Sequence, residues 1–269
     1  MRMEKRAYTG IFTAAVLGLF ASVVAAAPAV AEEGPYLEGL TLWLKGDDGL
    51  ATDGSSWTDQ SGEHHNATAL SGQAPAYVAT GLNGLPVASF SGNQAMSIAG
   101  SILKGQRFTI LAVVTDTSSY VSNYDFREIL SNWNTSNEDT SVFLGTIWTN
   151  ATGRTEDRIR FTDEIGGANQ DDSGQGDIAH PTSAFALAGL NSKTNACIHL
   201  NTRSEYCLGS ALPTRGVGKP WYLGRQGGDS GEYWEGYIAE ILVYDRTLSK
   251  SELKTDMAYL KAKWGLGSQ

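Results

Sequence analysis

Residues 221–248 read WYLGRQGGDSGEYWEGYIAEILVYDRTL and contain the longest strand candidate of the chain, residues 233–244. Strict alternation assigns its side chains to two faces, which are Tyr237, Ala239, Ile241 and Val243 on one side, and Gly236, Ile238, Glu240, Leu242 and Tyr244 on the other. Both faces carry large apolar groups. A strand of this kind needs cover on both sides, so the pattern predicts an inner strand of a layered fold, with neighbours from much earlier in the chain.

The preceding chain shows a series of short strand candidates separated by Gly, Asn and Ser. These candidates are residues 39–45, 86–90, 95–98, 108–115, 128–133, 141–147, 158–162 and 185–190. No internal repeat or linker composition interrupts them. Many short strands with Gly-rich turns predict an all-β fold, a two-sheet antiparallel sandwich.

The C-terminal end changes to helical periodicity. Ser249 and Glu252 form a capping box, and Leu248 with Leu253 is placed as a hydrophobic staple. Apolar residues then recur at spacings of four, three and four, at Leu253, Met257, Leu260 and Trp264. Gly265 is a natural stop. The pattern predicts a short C-terminal helix that covers an edge or an end of a sheet.

Residues 1–31 have the composition of a cleaved export signal. Arg2, Lys5 and Arg6 precede an apolar run over residues 11–27, and residues 29–31 fit the small-x-small cleavage pattern. We expect cleavage after Ala31 and a secreted or periplasmic product that does not span a membrane. The run is short and is interrupted by Gly18, which disfavours the alternative of a transmembrane anchor.

The remaining residues 32–269 are long enough for one large β domain. The whole chain carries a formal charge of −9; removing its first 31 residues, with three basic and one acidic side chain, leaves 17 basic and 28 acidic residues, hence −11. Such an acidic chain with scattered Lys and Arg is a poor candidate for binding nucleic acid.

Cys197 and Cys207 are the only cysteines. If residues 201–203 form a three-residue hairpin loop, the two cysteines are cross-strand partners, close enough for a disulfide bond. Export to an oxidising compartment favours that bond over two thiols.

Several segments together resemble the laminin-G-like branch of the concanavalin-A-like lectin/glucanase superfamily. They read LTLWLKGDDGL (residues 40–50), SSWTDQSGEHHNATA (residues 55–69), PAYVATGLNGLPVASFSG (residues 75–92) and YWEGYIAEILVYDRTLSKSE (residues 233–252). The resemblance implies a jelly roll of two antiparallel sheets, one of them often concave, with the last strand paired to the first. Members of this branch are mostly binding modules, frequently with calcium, and the superfamily also includes glycoside hydrolases and polysaccharide lyases.

A calcium site is the first functional hypothesis, because this cation binds several oxygen ligands at once. Asp47 and Asp59 lie in the first loops, and Asp229 and Glu235 lie just before the long strand. If the first and last strands pair, as the resemblance implies, we expect these four residues to converge on Ca²⁺. The alternative is that they cap turns.

Sugar binding is the second hypothesis. Tyr124, Trp133 and Trp148 lie in or beside polar loops, with Asn132 close by, and exposed aromatic rings stack against sugars. The alternative is that the two tryptophans plug the ends of the sandwich.

Catalysis is the third hypothesis. The Glu-x-Asp-x-x-Glu strand of the hydrolases of this superfamily is missing here. A lyase needs a base and a cation, and His199, Arg160 and Arg127 would meet in one groove if their strands both turn their outer faces to a concave side. The alternative is a cross-strand pair between His199 and Glu205.

The sequence therefore predicts an exported, lectin-like protein that binds a polysaccharide or glycoconjugate with calcium. The alternatives left open are a polysaccharide-degrading enzyme, a lyase before a glycoside hydrolase, and a structural envelope or matrix protein.

Overall fold

A computed structural model of the chain shows two antiparallel β-sheets and one C-terminal helix, which confirms the predicted all-β sandwich. The structure describes residues 34–118, 125–132, 142–149, 156–162, 183–201, 203–207, 209–212, 220–227 and 231–267. The predicted signal, residues 1–31, lies outside these ranges. The sheets and the helix belong to one unit that spans residues 32–269.

The elements in chain order are β1 (Leu40–Lys45), β2 (Ser56–Trp57), β3 (Ala67–Ala69), β4 (Ala76–Leu82), β5 (Leu85–Ser91), β6 (Met96–Ile98), β7 (Phe108–Val114), β8 (Asp125–Ser131), β9 (Phe143–Thr149), β10 (Glu156–Thr162), β11 (Phe185–Asn191), β12 (Ala196–Leu200), β13 (Arg203–Cys207), β14 (Trp221–Leu223), β15 (Glu235–Tyr244) and α1 (Lys250–Trp264). No helix among the described residues is long and apolar enough to cross a membrane.

Two stacked sheets enclose the main core. Sheet A has the order β13-β12-β11-β7-β15-β5-β4, with β1 also paired to β15, and sheet B has the order β10-β9-β8-β14-β6-β3-β2. The long strand is therefore an inner strand, and its pairing with β1, from Leu40 with Tyr244 to Lys45 with Glu240, joins the two ends of the chain. Between the sheets lie large buried side chains such as Trp57, Phe108 and Trp221.

A β-bulge in β15 corrects the predicted division of its faces. Ile238 pairs with Val114 and Glu240 with Val113, so Ala239 is an extra residue. Because of this insertion, Ile238 lies in the core between the sheets, whereas Tyr237 and Ala239 lie on the opposite face. The alternation had placed Ile238 on the face of Leu242 and Tyr244, and Tyr237 and Ala239 on the face of Ile241 and Val243. The structure exchanges these three residues between the two faces and confirms the division from Glu240 onward.

Helix α1 covers the outer face of sheet A, where the sequence predicted an edge or an end. Its predicted apolar face is buried against that sheet, in a second cluster with Leu111, Val113 and Ala188. The predicted capping box is confirmed at its first turn. Gly265 ends the helix in the left-handed conformation, with φ of 64°.

One buried carboxylate links α1 to the sheet. Glu240 has no exposed surface and accepts four hydrogen bonds. Its Oε1 accepts from Trp43 Nε1 at 2.6 Å and from the Tyr259 hydroxyl at 2.9 Å, and its Oε2 accepts from Lys263 Nζ at 2.9 Å and Trp264 Nε1 at 2.7 Å. The bulge turns this side chain toward the helix, so β1, β15 and α1 meet at one group.

A second link joins the start of α1 to the loop that leads into it. Arg246 forms a two-pronged ion pair with Glu252, at 2.9 and 3.0 Å, and Ser249 N donates to Glu252 Oε2 at 2.7 Å. These donors lower the pKa of Glu252 to about 2, the arginine contributing most. Deeper under the helix, burial raises the pKa of Asp256, whose carboxylate accepts from the Tyr244 hydroxyl.

The predicted disulfide is present between Cys197 and Cys207, whose Cα atoms lie 4.1 Å apart. The hairpin that positions it differs in one detail. Leu200 pairs with Arg203, so the connection has two residues instead of three, and a register shift between Ile198 and Leu200 restores the cysteine pairing.

Glu240→Ala tests the link through the buried carboxylate. We expect the free energy of unfolding to fall by about 3–5 kcal/mol, because the indole N–H groups of Trp43 and Trp264 would lose their acceptor and the buried Lys263 would keep only Asp47 as a carboxylate partner. Urea denaturation measures the change. The control is Asp48→Ala, which removes an exposed ion pair with Lys45 and should cost under about 1 kcal/mol. Equal effects of the two substitutions would contradict the structural role of Glu240.

The Glu252 pairing predicts a loss of stability in acid. The pKa of Glu252 is lower in the folded state than its ordinary value of 4.5, so its contribution is fully present above pH 4.5 and disappears as the pH falls toward 2. We expect the stability of Glu252→Gln to fall less over this window than that of the unmodified protein, as measured by thermal melts. Glu63→Gln, at an exposed position, should retain the full acid-dependent loss.

Candidate functional site

A row of hydroxyl side chains crosses the face of sheet B that points away from the core. Strand pairing aligns Ser56, Thr68, Ser97, Tyr222 and Ser131 on five neighbouring strands. Cross-strand partners share a face. The residues that flank this row along the strands, such as those at positions 57, 96 and 223, are buried in the core, which fixes the row on the outer side.

Tyr222 lies at the centre of this row. Its ring is half-buried, and the guanidinium carbon of Arg225 lies 4.8 Å from the ring centroid, a cation–π contact. Ser97 beside it is also half-buried, Thr68 is exposed and Ser131 is buried. The row and the arginine beside it therefore offer an aromatic ring, a positive charge and the hydroxyl groups of Thr68 and Ser97 to one surface.

A buried carboxylate lies on the same face. Glu128 of β8 pairs with Gly145, which pairs with Arg160 on the next strand, so positions 128, 145 and 160 form a parallel row. Glu128 has no exposed surface. Gly224 N donates to Ile129 O at 2.9 Å and Glu128 N donates to Glu232 O at 3.0 Å, so the chain after β14 and the chain before β15 both run beside this part of β8.

Glycine at position 145 allows this arrangement. A Cβ atom there would lie 2.1 Å from the carbonyl oxygen of Arg127, so β9 could not approach β8 as closely with any larger residue. The two strands come together next to a register shift between Glu128 and Leu130. We define the outer-face site as Ser97, Tyr222, Arg225, Glu128 and Ser131.

The residues predicted to bind sugar are only partly placed by the structure. Tyr124 and Trp133 lie outside the described residues, and Trp148 lies on β9 opposite Asp125 and Asp157, with its side chain outside the description. Asn132 is 1% exposed, and its Oδ1 accepts from Val142 N at 3.0 Å. Asn132 therefore closes the connection between β8 and β9, which corrects its predicted role as an open sugar contact.

The residues predicted to bind calcium do not form a site within the described part of the chain. Asp47 forms an ion pair with Lys263 at 2.8 Å. The oxygens of Asp59 accept hydrogen bonds from Trp43 N, Ser61 N, Ser61 Oγ and His65 N at 2.7–2.9 Å. Both carboxylates thus already have donors within the protein, and their role as calcium ligands stays a prediction.

The other two members of that predicted set lie elsewhere. Glu235 begins β15 opposite Ser91, and Asp229 is outside the described residues. Within the described ranges, no three His, Cys, Asp or Glu side chains are grouped as metal ligands are.

The predicted catalytic trio is divided between the two sheets. His199 lies on β12 of sheet A and faces α1, whereas Arg127 and Arg160 lie on β8 and β10 of sheet B. Pairing places Arg127 opposite Thr146 and Arg160 opposite Gly145, which are successive positions of β9 and therefore belong to opposite faces. The structure does not bring the three into one groove.

The sequence contained a signal for the outer-face site. β6 and β14 read Met-Ser-Ile and Trp-Tyr-Leu, in which the central residue lies between two core residues and must point outward. Their pairing is not readable from the sequence, because these strands are far apart in the chain.

Comparison with known proteins finds likeness only among solved structures. No family model matches the sequence, and no curated protein is detectably similar to it. Among solved structures, it is similar to domain 4 of AbnA, an extracellular GH43 arabinanase from Geobacillus stearothermophilus, in complex with arabinotriose. That match has 17% identity and a TM-score of 0.59, and it covers 81% of this chain and 98% of that chain.

Two further structures extend the comparison. A GH54 α-L-arabinofuranosidase matches with 16% identity and a TM-score of 0.57, over 78% of this chain and 51% of that chain. The binding domain of Paraclostridial Mosquitocidal Protein 1 matches with 13% identity and a TM-score of 0.53, over 84% and 53%. Likeness at these identities shows the fold alone. The narrower laminin-G-like assignment stays a prediction.

Asp59→Ala distinguishes a loop-forming carboxylate from a calcium ligand. We expect the free energy of unfolding to fall by about 3 kcal/mol, because the backbone donors of three residues lose a buried acceptor. The loss should be the same in calcium and in chelator. Asp53→Ala, an exposed aspartate that caps Ser55 N, is the control and should cost under about 1 kcal/mol. A loss seen only in calcium would show that Asp59 is a ligand.

Proposed function

We propose that the protein binds glycan through the outer-face site of sheet B. The observation that carries this proposal is the row of hydroxyl groups centred on Tyr222, with Arg225 against its ring. A sugar ring presents an apolar face, which packs on an aromatic side chain, and hydroxyl groups, which need donors and acceptors. The site offers both kinds of contact on one rigid sheet.

The charged side chains of the site would orient a bound sugar. The guanidinium of Arg225 carries several N–H donors in a plane, whereas Glu128 has no exposed surface and contributes charge without touching the ligand. Ser97 and Ser131 flank the ring on either side along the row. A ligand that follows the row would cross several strands, which suits an oligosaccharide better than a single sugar.

The fold comparison supports this proposal without deciding the ligand. The arabinanase domain, which the chain matches along nearly its whole length, is in complex with arabinotriose. Arabinotriose is therefore the first oligosaccharide to try. We also propose that residues 32–269 act after export, with the signal removed after Ala31. Calcium assistance is a separate hypothesis that a chelator tests.

The contact between Tyr222 and Arg225 supports a second candidate, a polysaccharide lyase. Such an enzyme needs a base and a cation that steadies the charge formed beside the acid or ester group of its substrate. Tyr222 and Arg225 are in contact and would fill these roles. In this candidate the reacting pair is Tyr222 and Arg225, and His199 takes no part.

Tyr222→Ala tests the binding proposal. We expect retention on the polysaccharide that the unmodified protein binds to weaken about tenfold or more, because the central aromatic contact is removed. Affinity electrophoresis over neutral and anionic polysaccharides, first with calcium and then with chelator, gives the measurement. Tyr36→Ala, an exposed tyrosine near helix α1, is the matched control and should bind normally.

The same samples separate the two candidates. New ultraviolet absorbance or new reducing ends would identify an enzyme, and both should then disappear in Tyr222→Ala. Saturable retention with neither signal would identify a binding protein. Retention by no polysaccharide would contradict the binding proposal and favour a structural protein. Equal retention by Tyr222→Ala would show that glycan binds elsewhere and would contradict the outer-face site.

A further inference from the structure

A cavity lies on the outer side of sheet A, between α1 and the hairpin of β12 and β13 that carries the disulfide. This cavity has a volume of about 380 Å³, and we call it the helix groove. Leu253 and Met257 form its floor, with Ala258 on the helix and His199 on β12 at its sides. A volume of this size suits a small molecule and is too small for a folded partner.

The rim of the groove is positively charged. Lys250, Lys254 and Lys261 line it, and the described lining residues include no carboxylate. Lys254 is exposed and Lys261 is half-buried, and neither forms an ion pair with any described residue. This concentration of positive charge is unusual for a chain whose formal charge is −9.

An apolar floor beneath a cationic rim matches an amphiphilic anion. The alkyl stems of the lysines extend the apolar wall, while their ammonium groups remain at the surface. A carboxylate head would accept charge-assisted hydrogen bonds from these groups, and an alkyl tail would cover Leu253 and Met257. A sugar, with hydroxyl groups all around its ring, would leave many of them without partners on this floor.

We propose that the helix groove binds a single-chain amphiphilic carboxylate, such as a medium-chain fatty acid. The carboxylate lies at the lysine rim, and the tail lies along the apolar face between α1 and β12. The site is independent of the glycan-binding proposal, because it uses the outer face of sheet A and shares no residue with the outer-face site. It gives the protein a second ligand of a different chemical class.

The experiment is calorimetric titration of residues 32–269 with decanoate, kept below its micelle concentration, and with acetate and decanol as partial ligands. We expect saturable binding of decanoate with one site, and binding of acetate and decanol at least tenfold weaker. The double substitution Lys254→Gln with Lys261→Gln should weaken decanoate binding tenfold or more. The matched control, Lys104→Gln with Lys193→Gln, makes the same change of charge outside the groove and should leave binding unchanged.

Ala258→Trp tests the tail without altering charge. A tryptophan at this exposed helical position would fill the groove, so we expect decanoate binding to be lost while the melting temperature stays within a few degrees. Unchanged binding in Ala258→Trp would overturn the proposal, since the tail would then lie elsewhere. Equal weakening by the two lysine pairs would also overturn it, because only general attraction to positive charge would remain.

Discussion

The buried carboxylate of Glu240 is the constraint on which the rest of the structure depends. A charge without exposed surface is stable only when donors surround it, and here Trp43, Tyr259, Lys263 and Trp264 supply them. These donors come from the first strand and from the last helix. The carboxylate therefore holds both ends of the domain against its central strand, and Asp47 completes the network by pairing with Lys263.

The two sheets differ in what covers their outer faces. Helix α1 packs on the outer face of sheet A, on the side to which Glu240 points, and leaves a groove beside β12. Among the described residues, no helix covers the outer face of sheet B. The row of hydroxyl side chains around Tyr222 lies on that face.

Local patterns predicted the parts of the fold that depend on neighbours in the chain. The capping box, the apolar helix face, the cysteine pairing and the inner position of β15 were all readable. The bulge was not, since an inserted residue leaves no mark in an alternating sequence. The outer-face site was missed because Ser97, Tyr222 and Glu128 meet only through pairing between distant strands, and loop composition led instead to Asn132 and Asp59, which hold turns.

Hydrogen exchange of residues 32–269, with and without a saturating oligosaccharide, tests whether glycan binds on the outer face of sheet B. Arabinotriose is the first ligand, followed by oligosaccharides from any retained polysaccharide. If glycan binds there, we expect slower exchange in peptides that cover β6, β8 and residues 221–227, with no change in α1 or in the loop around Asp59. Protection confined to the loops at the ends of the sandwich, with sheet B unchanged, would contradict the placement of glycan on its outer face.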